Sequence, residues 1–93
     1  MSDFNTSIVT QIASSITSIT IAPANLNRFA LSVYNDSTVD LYIKFGAVAS
    51  LNSFTVKIPP SGFFEIPQPC YRGQIDGIWT EADGNAYVTE IIL

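Results

Sequence analysis

The residues able to do chemistry in this chain are few, and their spacing does not bring them together. There is no histidine. That removes the commonest general base and the commonest metal ligand. Within one chain it also excludes a Cys–His dyad, a Ser–His–Asp triad and a zinc site built from Cys and His. The one cysteine, Cys70, sits between Pro69 and Tyr71. A reactive thiolate needs a neighbouring cation or a helix N-terminus, and Arg72, two residues on, need not approach it along a strand. Cys70 therefore reads as a small buried hydrophobe.

The carboxylates are Asp3, Asp36, Asp40, Glu65, Asp76, Glu81, Asp83 and Glu90. Glycoside chemistry needs two of them across a cleft, and nothing in their spacing requires such a pair. Asp36 and Asp83 lie in turn contexts, where Asp bonds its own backbone. Asn35-Asp36-Ser37-Thr38 with Asp40 is the local arrangement nearest to a calcium loop. It lacks the glycine and the terminal glutamate of an EF-hand, so calcium is disfavoured. Gly62, Gly73, Gly77 and Gly84 are spaced for turns and strand bends, not for a phosphate cradle. The expectation is no catalytic residue, no metal and no cofactor. The aromatics Tyr34, Tyr42, Phe63, Tyr71, Trp79 and Tyr87 invite a sugar-binding reading, but a lone tryptophan in a strand is more often core or interface.

The elements that would carry these residues are strands. Phe29, Leu31 and Val33 alternate with Ala30, Ser32 and Tyr34, until Asn35-Asp36-Ser37 breaks the run. Leu41, Ile43 and Phe45 alternate with Tyr42 and Lys44, an inside/outside pattern. Phe54, Val56 and Ile58 follow, then the turn Pro59-Pro60-Ser61-Gly62, with Gly62 expected at positive φ. Phe63 to Ile66 is a short strand, Ile75 and Trp79 share a strand face, Asp83-Gly84 has hairpin chemistry, and Tyr87 to Leu93 closes the chain. Residues 7–21 are ambiguous. Ile8, Ile12, Ile16 and Ile19 have near-helical spacing, yet the segment is dense in Ile, Thr and Ser, which are poor helix formers. The reading is an N-terminal arm over 1–14 and a single domain over 15–93. The fold class is all-β, an antiparallel sandwich or jelly-roll-like barrel of seven to eight short strands. The expected core is Phe29, Leu31, Val33, Leu41, Ile43, Phe45, Phe54, Val56, Ile58, Phe64, Ile66, Ile75, Trp79 and Tyr87.

Composition narrows the partners. The 93 residues are 47% hydrophobic but 13% charged, against about 25% charged in an average domain. Either Ser, Thr and Asn cover the surface, or part of it is covered by another chain. The net charge is −4 with four cations, Arg28, Lys44, Lys57 and Arg72. Scattered cations outnumbered by acids do not replace phosphate counterions, so nucleic acid and anionic membrane are excluded as partners. No intrachain disulfide is available. The N-terminus lacks the basic region and apolar run of a signal peptide, which reads as synthesis in a cytoplasm.

The runs Tyr34-Asn35-Asp36-Ser37, Leu41-Tyr42-Ile43-Lys44-Phe45-Gly46 and Ala49-Ser50 resemble small virion structural proteins of tailed bacteriophages and cyanophages. So do Phe54 to Pro59, Gly62 to Pro67, Gly73 to Trp79 and Asn85 to Glu90. The resemblance spans about residues 24–90 and is one of strands and turns rather than of a catalytic fingerprint. It implies a capsid decoration (cement) protein that binds the major capsid protein, stabilises the head shell, resides on the virion surface and associates with itself as a homotrimer. The apolar ends Ile8, Val9, Ile12, Ile91, Ile92 and Leu93 are the expected oligomer or capsid interface; the alternative is that they close the protomer's own sandwich. The second functional class is a carbohydrate- or receptor-binding β module of a tail fibre, spike or neck. An exposed cluster of aromatic and amide side chains would favour it.

Overall fold

The computed structural model describes residues 6–93, and all their regular elements are strands. They are β1 (Thr6–Ala13), β2 (Ile19–Ala22), β3 (Arg28–Asp36), β4 (Leu41–Phe45), β5 (Val56–Ile58), β6 (Phe63–Glu65), β7 (Ile75–Trp79) and β8 (Asn85–Ile92). Sheet A has the order β1-β8-β3-β6 and sheet B the order β2-β7-β4-β5, with every named pair antiparallel. The pairs β1·β8, β2·β7, β3·β6 and β4·β5 fall alternately in the two sheets. That is a two-stranded ribbon folded over on itself, the jelly-roll topology.

Between the sheets lies one apolar cluster. Leu31, Val33 and Val88 from sheet A meet Ile21, Leu41, Ile43, Ile58, Ile75 and Trp79 from sheet B. β-Branched and leucine side chains at every second position make this possible, because a strand sends alternate residues to one face. At one end of the sandwich, Phe45 stacks on Tyr71 with ring centres 4.8 Å apart and tilts against Phe64 at 6.3 Å.

Three departures from the alternation read in the sequence have local causes. Phe29 is 48% exposed rather than core. A bulge between Arg28 and Ala30 shifts the register of β3 against β8, so Arg28 and Leu31 turn inward and Phe29 does not. Phe54 is also exposed, because β5 begins at Val56; its ring lies edge-on to Tyr42 at 4.8 Å. In β8 the inward residues are Ala86 and Val88, and Tyr87 is half-buried on the other face. The small Ala86 sits opposite Asn35. The buried amide of Asn35 donates to the carbonyls of Val39, Ile58 and Pro59 and occupies space that a ring would need.

The turns also differ in detail. β7 and β8 belong to different sheets, so Asp83-Gly84 is a link between sheets and not a hairpin turn. Gly84 does have positive φ, 70°. In the Pro59–Gly62 turn the left-handed residue is Ser61, φ 61°. Gly62 is needed there for closeness instead: a Cβ would stand 2.8 Å from the Pro59 carbonyl oxygen. Residues 6–13, expected as part of an arm, are extended and form the whole of β1; residues 1–5 of that arm lie outside the described part.

Candidate functional site

The buried residues with chemical potential hold the fold together. Arg28 is fully buried at the start of β3. Its Nε donates to Glu90 at 2.6 Å, its Nη1 to the carbonyls of Tyr71 and Gly73, and its Nη2 to that of Pro23. One guanidinium thus ties β3, β8 and two loops together. Sequence reasoning had no signal for it, because an Arg beside a Phe in an alternating run reads as the outward member of the pair.

Asp76, on β7, is the other buried charge. Its carboxylate accepts from Thr20 Oγ1 at 3.0 Å, Gln74 Nε2 at 2.8 Å and Ser18 Oγ at 3.3 Å. Ser18 Oγ in turn accepts the backbone N–H of Ala49. The loop 46–53 is thereby laid over the outer face of sheet B, and Lys44 Nζ donates to Val48 O and Ser53 Oγ within the same loop.

Cys70 is half-buried against the core. Burial pushes its thiol pKa up, and the cations Arg28 and Arg72 offset this in part. Asp83 is half-exposed, and its carboxyl is held below the ordinary carboxylate range by the hydroxyl and the N–H of Thr38. Ser37, in the loop nearest to a calcium pattern, bonds Asn35 and the Val39 carbonyl. No three His, Cys, Asp or Glu side chains converge as a metal site among the described residues.

The expected interface residues are brought to one border of sheet A. Ile8, Val9 and Ile12 lie on β1, and register pairs Thr6 with Ile92 and Ser7 with Ile91. β8 runs between β1 and β3, so the backbone of the C-terminal strand is paired on both sides inside the protomer. Among the described residues β1 has only one neighbour, β8. Seven of its eight residues are exposed. Val9 is 63% exposed, and Ile8 is 44% exposed although register places it beside the inward Glu90; sheet B does not cover it. Ile12 packs against the core and Leu93 is exposed.

The two outer sheet faces differ in kind. On sheet B the polar groups bond one another under loop 46–53, as above. On sheet A, register aligns Gln11 with Tyr87, Tyr87 with Tyr34 and Tyr34 with Phe63, a row crossing all four strands. The adjacent row is Val9, Thr89, Ser32 and Glu65. A shallow pocket of about 60 Å³ opens beside it, lined by Ala30, Leu31, Ser32, Glu65, Thr89 and Ile91. It holds a couple of water molecules and is far below the several hundred Å³ of a small-molecule site. Neither a protein-family model, nor a curated protein, nor a solved structure matches this chain.

Proposed function

We propose that the protein is a non-enzymatic structural component that works by assembly, in the manner of a phage capsid decoration protein bound to the head shell. The observation that carries this reading is the free edge of β1. An unpaired edge is a row of open N–H and C=O groups that accepts any strand offered to it, and folded proteins guard such edges. Three of the four edges here are guarded. β2 has four residues and a register break. β5 and β6 have three residues each, carry Lys57 and Glu65, and run into Pro59 and Pro67. β1 has eight residues, Thr6-Ser7-Ile8-Val9-Thr10-Gln11-Ile12-Ala13, with no charge, no proline and no break in its register. Pairing of that edge with another chain satisfies its backbone and covers Ile8.

The low charge of the chain and the strand-and-turn similarity to small virion proteins support the same reading, including self-association as a trimer and contact with the major capsid protein. The jelly roll itself serves both capsid and lectin domains, so it supports assembly without selecting it.

The test is sedimentation velocity of the full chain across a wide concentration range, together with its copy number on purified particles. Assembly predicts concentration-dependent oligomers that Val9→Lys dissolves, and hundreds of copies per particle. A strict monomer at high concentration that is absent from particles refutes the proposal.

A further inference from the structure

The outer face of sheet A is a different surface from the β1 edge, and its character points to a ligand rather than to a strand. Register carries Tyr87, Tyr34 and Phe63 across three adjacent strands. At a strand spacing of about 4.8 Å their backbone positions span roughly 10 Å, and the three rings make no ring contact with one another. Phe63 is 64% and Tyr34 36% exposed. Around them the side chains of Gln11, Ser32, Glu65 and Thr89, and both tyrosine hydroxyls, make no hydrogen bond to another described residue. Apolar ring surface and free polar groups are therefore interleaved on one rigid platform, and tyrosine offers such surface at little cost in side-chain entropy.

Charge selects among the occupants. The face carries Glu65 and, at its border, Asp36, with no cation among its described residues. A polyanion, whether nucleic acid, phospholipid or sulfated polysaccharide, meets only repulsion there. Face-to-face pairing with a second copy also sets carboxylate-bearing surfaces against each other, since a two-fold interface uses the same patch twice. A neutral polyhydroxylated ligand meets no such penalty. Its C–H faces stack on rings, and its hydroxyls find acceptors in Glu65 and Gln11 and donors or acceptors in Ser32 and Thr89.

We propose that this face binds a neutral, extended glycan with equatorial linkages, laid across the strands over Tyr87, Tyr34 and Phe63. The shallow pocket beside Ser32, Glu65 and Thr89 takes a substituent of one sugar ring. Such a ribbon-like chain matches aromatic residues set out at successive strands along one sheet face, whereas a helically coiled glycan lifts successive residues away from it. The proposal stands on the sheet face and does not depend on assembly through β1.

The experiment is titration of the full chain with cellohexaose, chitohexaose and maltohexaose, followed by calorimetry and amide NMR. Saturable binding to cellohexaose or chitohexaose is expected, with shifts concentrated on β3, β6 and β8. Tyr34→Ala and Tyr87→Ala each weaken it tenfold or more, while Tyr34→Phe and Tyr87→Phe retain most of it. Phe54→Ala, an exposed ring on the side of sheet B, leaves it unchanged. Binding to none of the three probes at millimolar concentration overturns the proposal, as does binding that the two alanine variants leave intact. Binding to maltohexaose alone overturns the extended geometry. Alanine variants that dissolve an oligomer while no glycan binds assign the face to a protein partner instead.

Discussion

Replacing Arg28 with Met keeps the length of the side chain and removes its charge and donors, so it isolates what the buried guanidinium contributes. Four donor contacts vanish: to Glu90 at 2.6 Å, to Pro23 O at 2.8 Å, to Tyr71 O at 2.9 Å and to Gly73 O at 3.0 Å. Removing one partner of a buried ion pair costs about 3–5 kcal/mol. Each carbonyl left without a donor adds about 1–3 kcal/mol if water cannot reach it. The Glu90 side chain is 18% exposed, so it recovers part of its hydration, and the losses share one site and are not additive. The expected cost is about 4 kcal/mol. A domain of this length has a total stability of about 5–14 kcal/mol, so the melting temperature falls by roughly 15–30 °C. The assay is urea and thermal unfolding read by the fluorescence of Trp79, the one tryptophan, which is 1% exposed. Arg28→Lys, with a point charge unable to reach four acceptors, falls between wild type and Arg28→Met. Arg28→Met with Glu90→Leu is more stable than Arg28→Met alone, because no carboxylate is stranded. A loss below about 1 kcal/mol in Arg28→Met would show that water replaces the guanidinium, and would refute the assignment of Arg28 as the tie between the loops and both strands.

Gly84→Val is expected to cost several kcal/mol: φ is 70°, and a Cβ would overlap the Asp36 carbonyl oxygen and crowd Ser37, where a β-branched residue has no allowed conformation. An unchanged melting temperature refutes the link geometry. Asp83 has a lowered folded pKa, so its stabilisation is present above the ordinary carboxylate pKa of about 3.9 and is lost as pH falls through the folded value. The acid limb of the stability profile is therefore steeper in wild type than in Asp83→Asn, and superimposable limbs count against the Thr38 contact. Cys70 has a raised folded pKa, so folding stability is constant below the ordinary thiol pKa of about 8.5 and declines as pH rises through it. Cys70→Ala flattens that alkaline decline, and native Cys70 reacts with a thiol reagent more slowly than Cys70 in urea; equal rates contradict its burial.

Alternation made the sheets legible. Leu31, Val33, Leu41, Ile43, Ile58, Ile66, Ile75 and Trp79 were all expected in the core and are all buried, because a strand has one periodicity and these residues obey it. Two of the failures come from events that reset the phase. One bulge turned Arg28 inward and Phe29 out, and a late strand start exposed Phe54. In β8, size misleads: Tyr87 has the bulk of a core residue, but Ala86 is the one that faces inward, and the space opposite it belongs to the amide of Asn35. Buried polar residues were invisible for a related reason. Arg28, Asn35 and Asp76 are buried only because carbonyls and hydroxyls far along the chain converge on them, and local sequence records no such convergence. The hairpin chemistry of Asp83-Gly84 was real at the level of φ and wrong at the level of topology, since a turn residue sets a dihedral and not the sheet its next strand joins.

The candidate sites follow the same division. The apolarity of Ile8, Val9 and Ile12, outside the clearest alternating pattern, was readable. That they lie on an open edge was not, because edge status depends on the strand order of the whole sheet. Likewise each of Tyr34, Phe63 and Tyr87 looks ordinary in its own run. They form a row because β8 is inserted between β1 and β3, with β6 beyond. The same insertion pairs the apolar C-terminal strand on both sides and leaves β1 outermost. One topological choice therefore produces both surfaces, and they make separable demands on the sequence. A guarded edge would need only a charge or a proline at a β1 position on the opposite face, such as Thr6, Ile8 or Thr10, and would leave the ring row untouched. A plain solvent face would need no aromatic at 34, 63 or 87 and would leave the edge untouched. Because neither surface follows from folding alone, Ile8→Lys at the edge and Tyr34→Ala in the row test the two proposed functions separately, and a combined variant should lose both as the simple product of the single effects.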